Sequence, residues 1–94
     1  MPAYVVVDID VKDPEAYKQY VALAPASVEA HGGKYLARAG RTEKLEGDGL
    51  PRWVVILQFE SIEQARAWLA PDDAPVKQLR HQSASTNMVV IEGV

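Results

Sequence analysis

Residues Arg52 to Phe59 read Arg-Trp-Val-Val-Ile-Leu-Gln-Phe, and the five apolar side chains from Trp53 to Leu57 follow one another without a polar break. In a β-strand successive side chains point to opposite faces, so such a run offers apolar surface on both sides of its sheet. Both sides then need cover. The rest of the chain supplies helices for one side only. The expectation is therefore a homodimer, in which a second copy covers the other side and a cavity lies between the two sheets.

The flanking segments define the remaining elements. Ala3 to Val11 alternates, with Ala3, Val5, Val7 and Ile9 on one face and Tyr4, Val6, Asp8 and Asp10 on the other. Asp13-Pro14-Glu15 opens a helix, with Asp13 as N-cap, Pro14 in the first turn and Glu15 at the positive end of the dipole. Tyr17, Tyr20, Val21, Ala24 and Val28 form its apolar stripe. Pro25 removes a donor and crowds the carbonyl of Val21, which predicts a kink or a restart. Gly32-Gly33 ends the helix. Lys34 to Ala39 is a second strand, broken at Gly40, where a bulge or a close backbone approach is expected, and resumed through Thr42 to Glu46. Gly47-Asp48-Gly49 is a turn. After the strand Arg52–Phe59, Ser61-Ile62-Glu63-Gln64 has the form of a capping box, and Ile62, Ala65 and Leu69 face inward behind it with Trp68 on the flank. Pro71 stops that helix, a short helical segment around Val76, Leu79, Arg80 and Ser83 follows, and Asn87 to Glu92 is the last strand.

The order β-α-β-β-α-β, with one short extra helix, predicts an α+β, ferredoxin-like fold: an antiparallel sheet with helices on one face. At 94 residues this is a single domain, 1–94, near the small end of what one core sustains alone. The expected helix face holds Ala3, Val5, Val7, Trp53, Val55, Leu57, Phe59, Val89 and Ile91. The expected open face holds Tyr4, Val6, Asp8, Val54, Ile56, Gln58, Met88 and Val90. An uncovered patch of that kind exceeds what monomers tolerate.

Charge and composition exclude several functions. The net charge of -3 and the lack of a basic run disfavour nucleic acid and anionic membrane as partners. The absence of cysteine removes disulfides, thiolate metal sites and cysteine nucleophiles. Met1-Pro2-Ala3-Tyr4 runs into an acidic strand without the basic and apolar regions of a signal peptide, so a cytoplasmic location is expected. No apolar segment approaches the roughly 20 residues needed to span a bilayer.

No motif names a reaction. The open face mixes polar and apolar groups, as small-molecule pockets do, and Tyr4, Asp8, Arg38, Arg52, Gln58 and Glu92 are its candidates. Arg38 alternates in phase with Leu36, so its guanidinium is expected to face the cavity and hold a carboxylate bidentately. The plainer alternative pairs Arg38 with Asp8 or a surface acid. Asp8, desolvated beside Val6 and Ile56, is a candidate acid/base, against the alternative of a solvated or salt-bridged carboxylate. Tyr4 and Gln58 are hydrogen-bond donors to a ligand, with Tyr4 alternatively a space-filler. His31, at a helix C-terminus, reads as structural. His81 lacks the company that metal or haem ligation needs. The serines lack a nucleophile elbow, and Gly47-Asp48-Gly49 is no phosphate loop.

Asp13-Pro14-Glu15-Ala16-Tyr17 with Tyr20, Gly32-Gly33-Lys34-Tyr35-Leu36-Ala37-Arg38 with Gly40, Leu45-Glu46-Gly47, Phe59, Ala65-Arg66-Ala67-Trp68, Leu79-Arg80 and Ile91-Glu92-Gly93 are spread over the whole chain. Together they resemble the bacterial family described as domain of unknown function 1330. The resemblance implies the dimeric α/β-barrel superfamily, in which two ferredoxin-like protomers close their sheets face to face. That superfold hosts cofactor-free oxygenases, lactone isomerases, haem degraders and stress-responsive proteins. Haem degraders combine Asn, Trp and His, whereas this chain has Asp or Val where a first-strand Asn would stand, and no cofactor is expected. Where relatives read Ser-Pro-Glu-Tyr, this chain has Ala70-Pro71-Asp72-Asp73. The leading functional expectation is a pocket for a small, anionic organic molecule, with cofactor-independent turnover as an extension. In it Arg38 orients the anion, Asp8 is the acid/base group, and Tyr4 and Gln58 supply hydrogen bonds. The alternative is a non-catalytic, stress-related or structural assembly module.

Overall fold

The computed structural model describes residues 1–38, 40–48, 53–69 and 75–94. The elements run β1 (Ala3–Val11), α1 (Pro14–Ala30), β2 (Lys34–Arg38), β3 (Trp53–Phe59), α2 (Ile62–Leu69), α3 (Pro75–Ser83) and β4 (Ala84–Glu92). The strands form one sheet in the order β2-β3-β1-β4, with every neighbouring pair antiparallel. This is the ferredoxin-like α+β connectivity, with α3 as the added helix.

Local chemistry accounts for the ends of the elements. Asp13 accepts the N–H of Ala16 through Oδ1 at 3.2 Å, and Pro14 stands in the first turn of α1. At the other end Gly32 adopts φ +74 and donates to the carbonyl of Glu29, while Gly33 donates to that of Val28. This pair of bonds is a Schellman motif, and its left-handed position takes glycine without strain. α1 continues through Pro25 as one helix rather than restarting there. Ser61 caps α2 by accepting the Gln64 N–H on Oγ at 3.2 Å, but the return half of the expected box is not made: Gln64 Oε1 is buried and has no partner.

The core lies between the sheet and the helices. It joins Val5, Val7 and Ile9 of β1 with Val55, Leu57 and Phe59 of β3, closed by Tyr17 and Val28 of α1 and Ala65 of α2. Burying each of the larger aliphatic and aromatic side chains contributes about 1.5–3 kcal/mol. Phe59 and Trp68 stack at 5.5 Å between ring centres, which ties α2 to β3.

Three strand expectations are corrected. The stretch Thr42 to Glu46 forms no strand, and β2 ends at Arg38, with Ala39 outside the described residues. The bulge falls between Tyr35 and Ala37 rather than at Gly40: Tyr35 pairs with Leu57 and Ala37 with the next residue, Ile56. β4 begins earlier than expected and has the opposite phase. Val5 faces Val90 and Val7 faces Met88, whereas Tyr4 faces Ile91 and Val6 faces Val89. Residues directly opposite in an antiparallel pair share a face, so Met88 and Val90 belong to the helix side, and Val89 and Ile91 to the open side. Val89 and Ile91 are 62% and 60% exposed, and they extend the apolar open face built by Val6, Val54 and Ile56. Arg52, Gly49 and Pro71 lie outside the described residues.

Candidate functional site

A cleft of about 240 Å³ opens between α1 and the helix side of the sheet. Its floor is aliphatic, from Val7 and Ile9 on β1 and Val55 and Leu57 on β3. Its walls are aromatic. Tyr17 and Tyr20 stand one turn apart on α1, as the (i, i+3) spacing requires, with ring centres 5.5 Å apart. Trp53, at the start of β3, meets Tyr17 at 5.7 Å, and Tyr35 and Trp68 close the remaining sides. A second, more open recess, lined also by Val11, Pro14 and Lys18, shares Tyr17, Val21 and Trp53 with the cleft.

Arg38 is the one charged side chain lining the cleft among the described residues. It reaches this side because of the bulge: the extra residue shifts the alternation of β2, and Arg38 pairs with Val55 on the face that carries Tyr35. Its guanidinium carbon lies 4.8 Å from the centre of the Tyr35 ring, and Nη2 donates to the Val21 carbonyl at 3.0 Å. Such a stack contributes about 0.5–1 kcal/mol at an exposed site. Burial pushes the Tyr17 phenol above its ordinary range, the neighbouring Tyr20 adds to this, and Arg38 partly opposes it. Tyr35 is raised by burial in the same way, again with Arg38 pulling back. Both hydroxyls therefore stay protonated through neutral pH and remain donors.

The sheet separates the residues that the sequence had grouped. Tyr4, Asp8 and Gln58 lie on the open face, where Tyr4 pairs across from Gln58, and Asp8 from Val54 and Asn87. Arg38 lies on the other face, and the structure does not bring it to them. Tyr4 packs its ring against Gly93, where an added Cβ would meet Cε2 at 2.7 Å. Glu92 pairs with Ala3 at the end of β4 and so takes the helix-side phase. His31 Nδ1 donates to the Ser27 carbonyl at 3.0 Å, in keeping with a structural role at the end of α1. His81 is exposed, with Nε2 3.5 Å from Arg80 Nη2. Among the described residues no three metal-ligating side chains cluster, and no helix is long and apolar enough to cross a membrane.

Sequence reasoning treated Tyr17, Tyr20, Trp53 and Trp68 as core or flank, gave Tyr35 no role beyond its place in the second strand, and missed all five as a site. The available signal was the concentration of phenol and indole groups on the helix face. Polar-tipped rings need partners that an aliphatic core cannot give.

The sheet order and the added helix define an α+β protein of ferredoxin-like connectivity. A family model described as Domain of unknown function (DUF1330) matches residues 2–94, and the chain belongs to that family. No curated protein matches it in sequence. Among solved structures, the RPA0582 protein of unknown function from Rhodopseudomonas palustris superposes with a TM-score of 0.72 at 17% identity, over 99% of this chain and 82% of that one. The methylated form of RPA0582 gives 0.70 at 17% identity, over 99% and 81%. SnoaB, a cofactor-independent oxygenase from Streptomyces nogalater, gives 0.65 at 14% identity, over 99% and 93%. At these identities the likeness concerns the fold.

Proposed function

We propose that the helix-side cleft binds a small, planar organic anion, and that two copies of the chain pack their open faces together. The observation that carries the first part is a single guanidinium in a cleft otherwise lined by rings and aliphatic groups. The rings favour a flat ligand, Arg38 favours a negative charge, and the protonated Tyr17 and Tyr35 offer neutral donors beside it. At about 30 Å³ per water the cleft has room for roughly eight waters, which suits a ligand of one or two fused rings. The shared fold with a cofactor-independent oxygenase supports extending the reading to turnover without a cofactor. Asp8, across the sheet, is remote from such chemistry, and Tyr4, Asp8 and Gln58 then belong to the layer between the two sheets.

Binding is tested with 2-naphthoate against the uncharged 2-naphthamide, followed by the fluorescence of Trp53 and Trp68. A hydrogen bond to a charged group contributes about 1.5–3 kcal/mol, so the acid should bind about 10- to 150-fold more tightly than the amide. Arg38→Ala should erase the difference. Equal binding of acid and amide by the unmodified protein would refute the anion site.

A second reading, a non-catalytic assembly module, draws on the open face alone, where Val89 and Ile91 are more than half exposed. Dimerisation without any ligand preference in the cleft would favour it.

A further inference from the structure

In an α-helix each carbonyl accepts from the N–H four residues on. For Val21 that residue is Pro25, inside α1, and proline has no N–H to give. The vacated carbonyl accepts instead from Arg38 Nη2 at 3.0 Å, across to β2. Proline also crowds the carbonyl four residues back and turns it away from the helix axis, which is the direction from which a side chain reaches it. Arg38 arrives there only because the bulge between Tyr35 and Ala37 moves it to the helix side. The costly proline, the bulge and the anchored guanidinium thus meet at one edge of the cleft, which Val21 and Arg38 both line.

We propose that Pro25 is a positioning residue for the anion site: by withholding its donor it leaves the Val21 carbonyl open as an anchor for Arg38. One of the five guanidinium N–H groups is spent on the anchor, the Tyr35 ring supports the flat face, and the others remain for a ligand. A fixed fork loses less freedom on binding than a loose one. This inference rests on the reading of the cleft as an anion pocket.

Pro25→Ala restores an N–H to compete for the Val21 carbonyl and removes the ring that displaces it. The variant should remain folded by far-UV circular dichroism, with a Tm no lower than that of the parent, because alanine is the better helix former. It should bind 2-naphthoate about ten-fold more weakly and 2-naphthamide unchanged. In an Arg38→Ala background the same change should have no further effect on binding. A ligand-free measurement addresses the anchor itself. Nitrogen-15 NMR of the guanidinium should show slowed rotation of the Arg38 Nη groups in the parent and averaged rotation in Pro25→Ala. Full 2-naphthoate affinity in Pro25→Ala, with Arg38→Ala impaired, overturns the inference and leaves the anion pocket standing. Freely rotating Nη groups in the parent overturn it even if the variant fails to fold. If the parent does not distinguish acid from amide, the pocket reading falls, and the NMR comparison still decides whether Pro25 sets the anchor.

Discussion

Gly33→Ala tests the packing beneath the cleft. A Cβ at this position would lie 2.6 Å from Phe59 Cε1 and 2.9 Å from Cζ, and 2.9 Å from Val28 Cγ1. Ordinary contact starts near 3.4 Å, so the ring must retreat by roughly 0.8 Å. Phe59 is 1% exposed and stacked on Trp68, so the retreat is resisted by packed neighbours. Overpacking of this kind costs about 1–3 kcal/mol. The backbone at Gly33 is not left-handed, so alanine returns about 0.4–1 kcal/mol by restricting the unfolded chain. At the middle of both ranges the net loss is about 1.3 kcal/mol, or a fall in Tm of roughly 5–10 °C for a chain of this size. Urea unfolding at fixed protein concentration measures it. Phe59→Leu supplies the control: in the Gly33→Ala background the shorter side chain relieves the clash, and the double variant should be more stable than additivity predicts by about 1 kcal/mol. A neutral Gly33→Ala, or strict additivity with Phe59→Leu, would refute the close approach.

Other perturbations address the remaining elements. Val89→Asp places a charge on the open face, and sedimentation velocity at micromolar concentration should show a shift toward single subunits; an unchanged sedimentation coefficient would argue against that face as the contact. Asp13→Ala removes the acceptor for Ala16 and should cost about 1 kcal/mol in urea unfolding, with no loss pointing to a frayed first turn. The raised phenols of Tyr17 and Tyr35 fix the sign of an alkaline effect. The folded state holds these protons more tightly than the unfolded chain, so the associated stability is intact below pH 10.0 and declines as pH rises beyond it. Absorbance at 295 nm should show Tyr17 and Tyr35 losing their protons later than free tyrosine does, and titration of both at the ordinary value of 10.0 would contradict the burial.

Much of the architecture was legible because contrast along the chain was high. β1 turns polar on one face at its far end, where Asp8 and Asp10 alternate with Val7, Ile9 and Val11, and Asp13-Pro14 and Gly32-Gly33 mark the two ends of α1 with groups whose backbone chemistry suits helix ends. β4 lacked that contrast: Met88 through Ile91 are all apolar, so only the register against β1 decides which of them face the helices. Arg38 was misplaced for a different reason. Strict alternation from Leu36 put it on the open face, and a single bulged residue, with no glycine to announce it, reversed the outcome. The cleft itself was invisible because a pattern of apolar positions reports which side chains turn inward and not whether they fill the space they enclose.

The period-two geometry of β1 has a practical consequence for redesign. Odd-numbered positions such as Val7 and Ile9 touch the cleft, while even-numbered Tyr4, Val6 and Asp8 look away from it. One nine-residue strand therefore holds two interleaved alphabets. A library that varies only the odd letters can retune what enters the protein while its outer contacts keep their wild-type residues, and a library of the even letters does the converse.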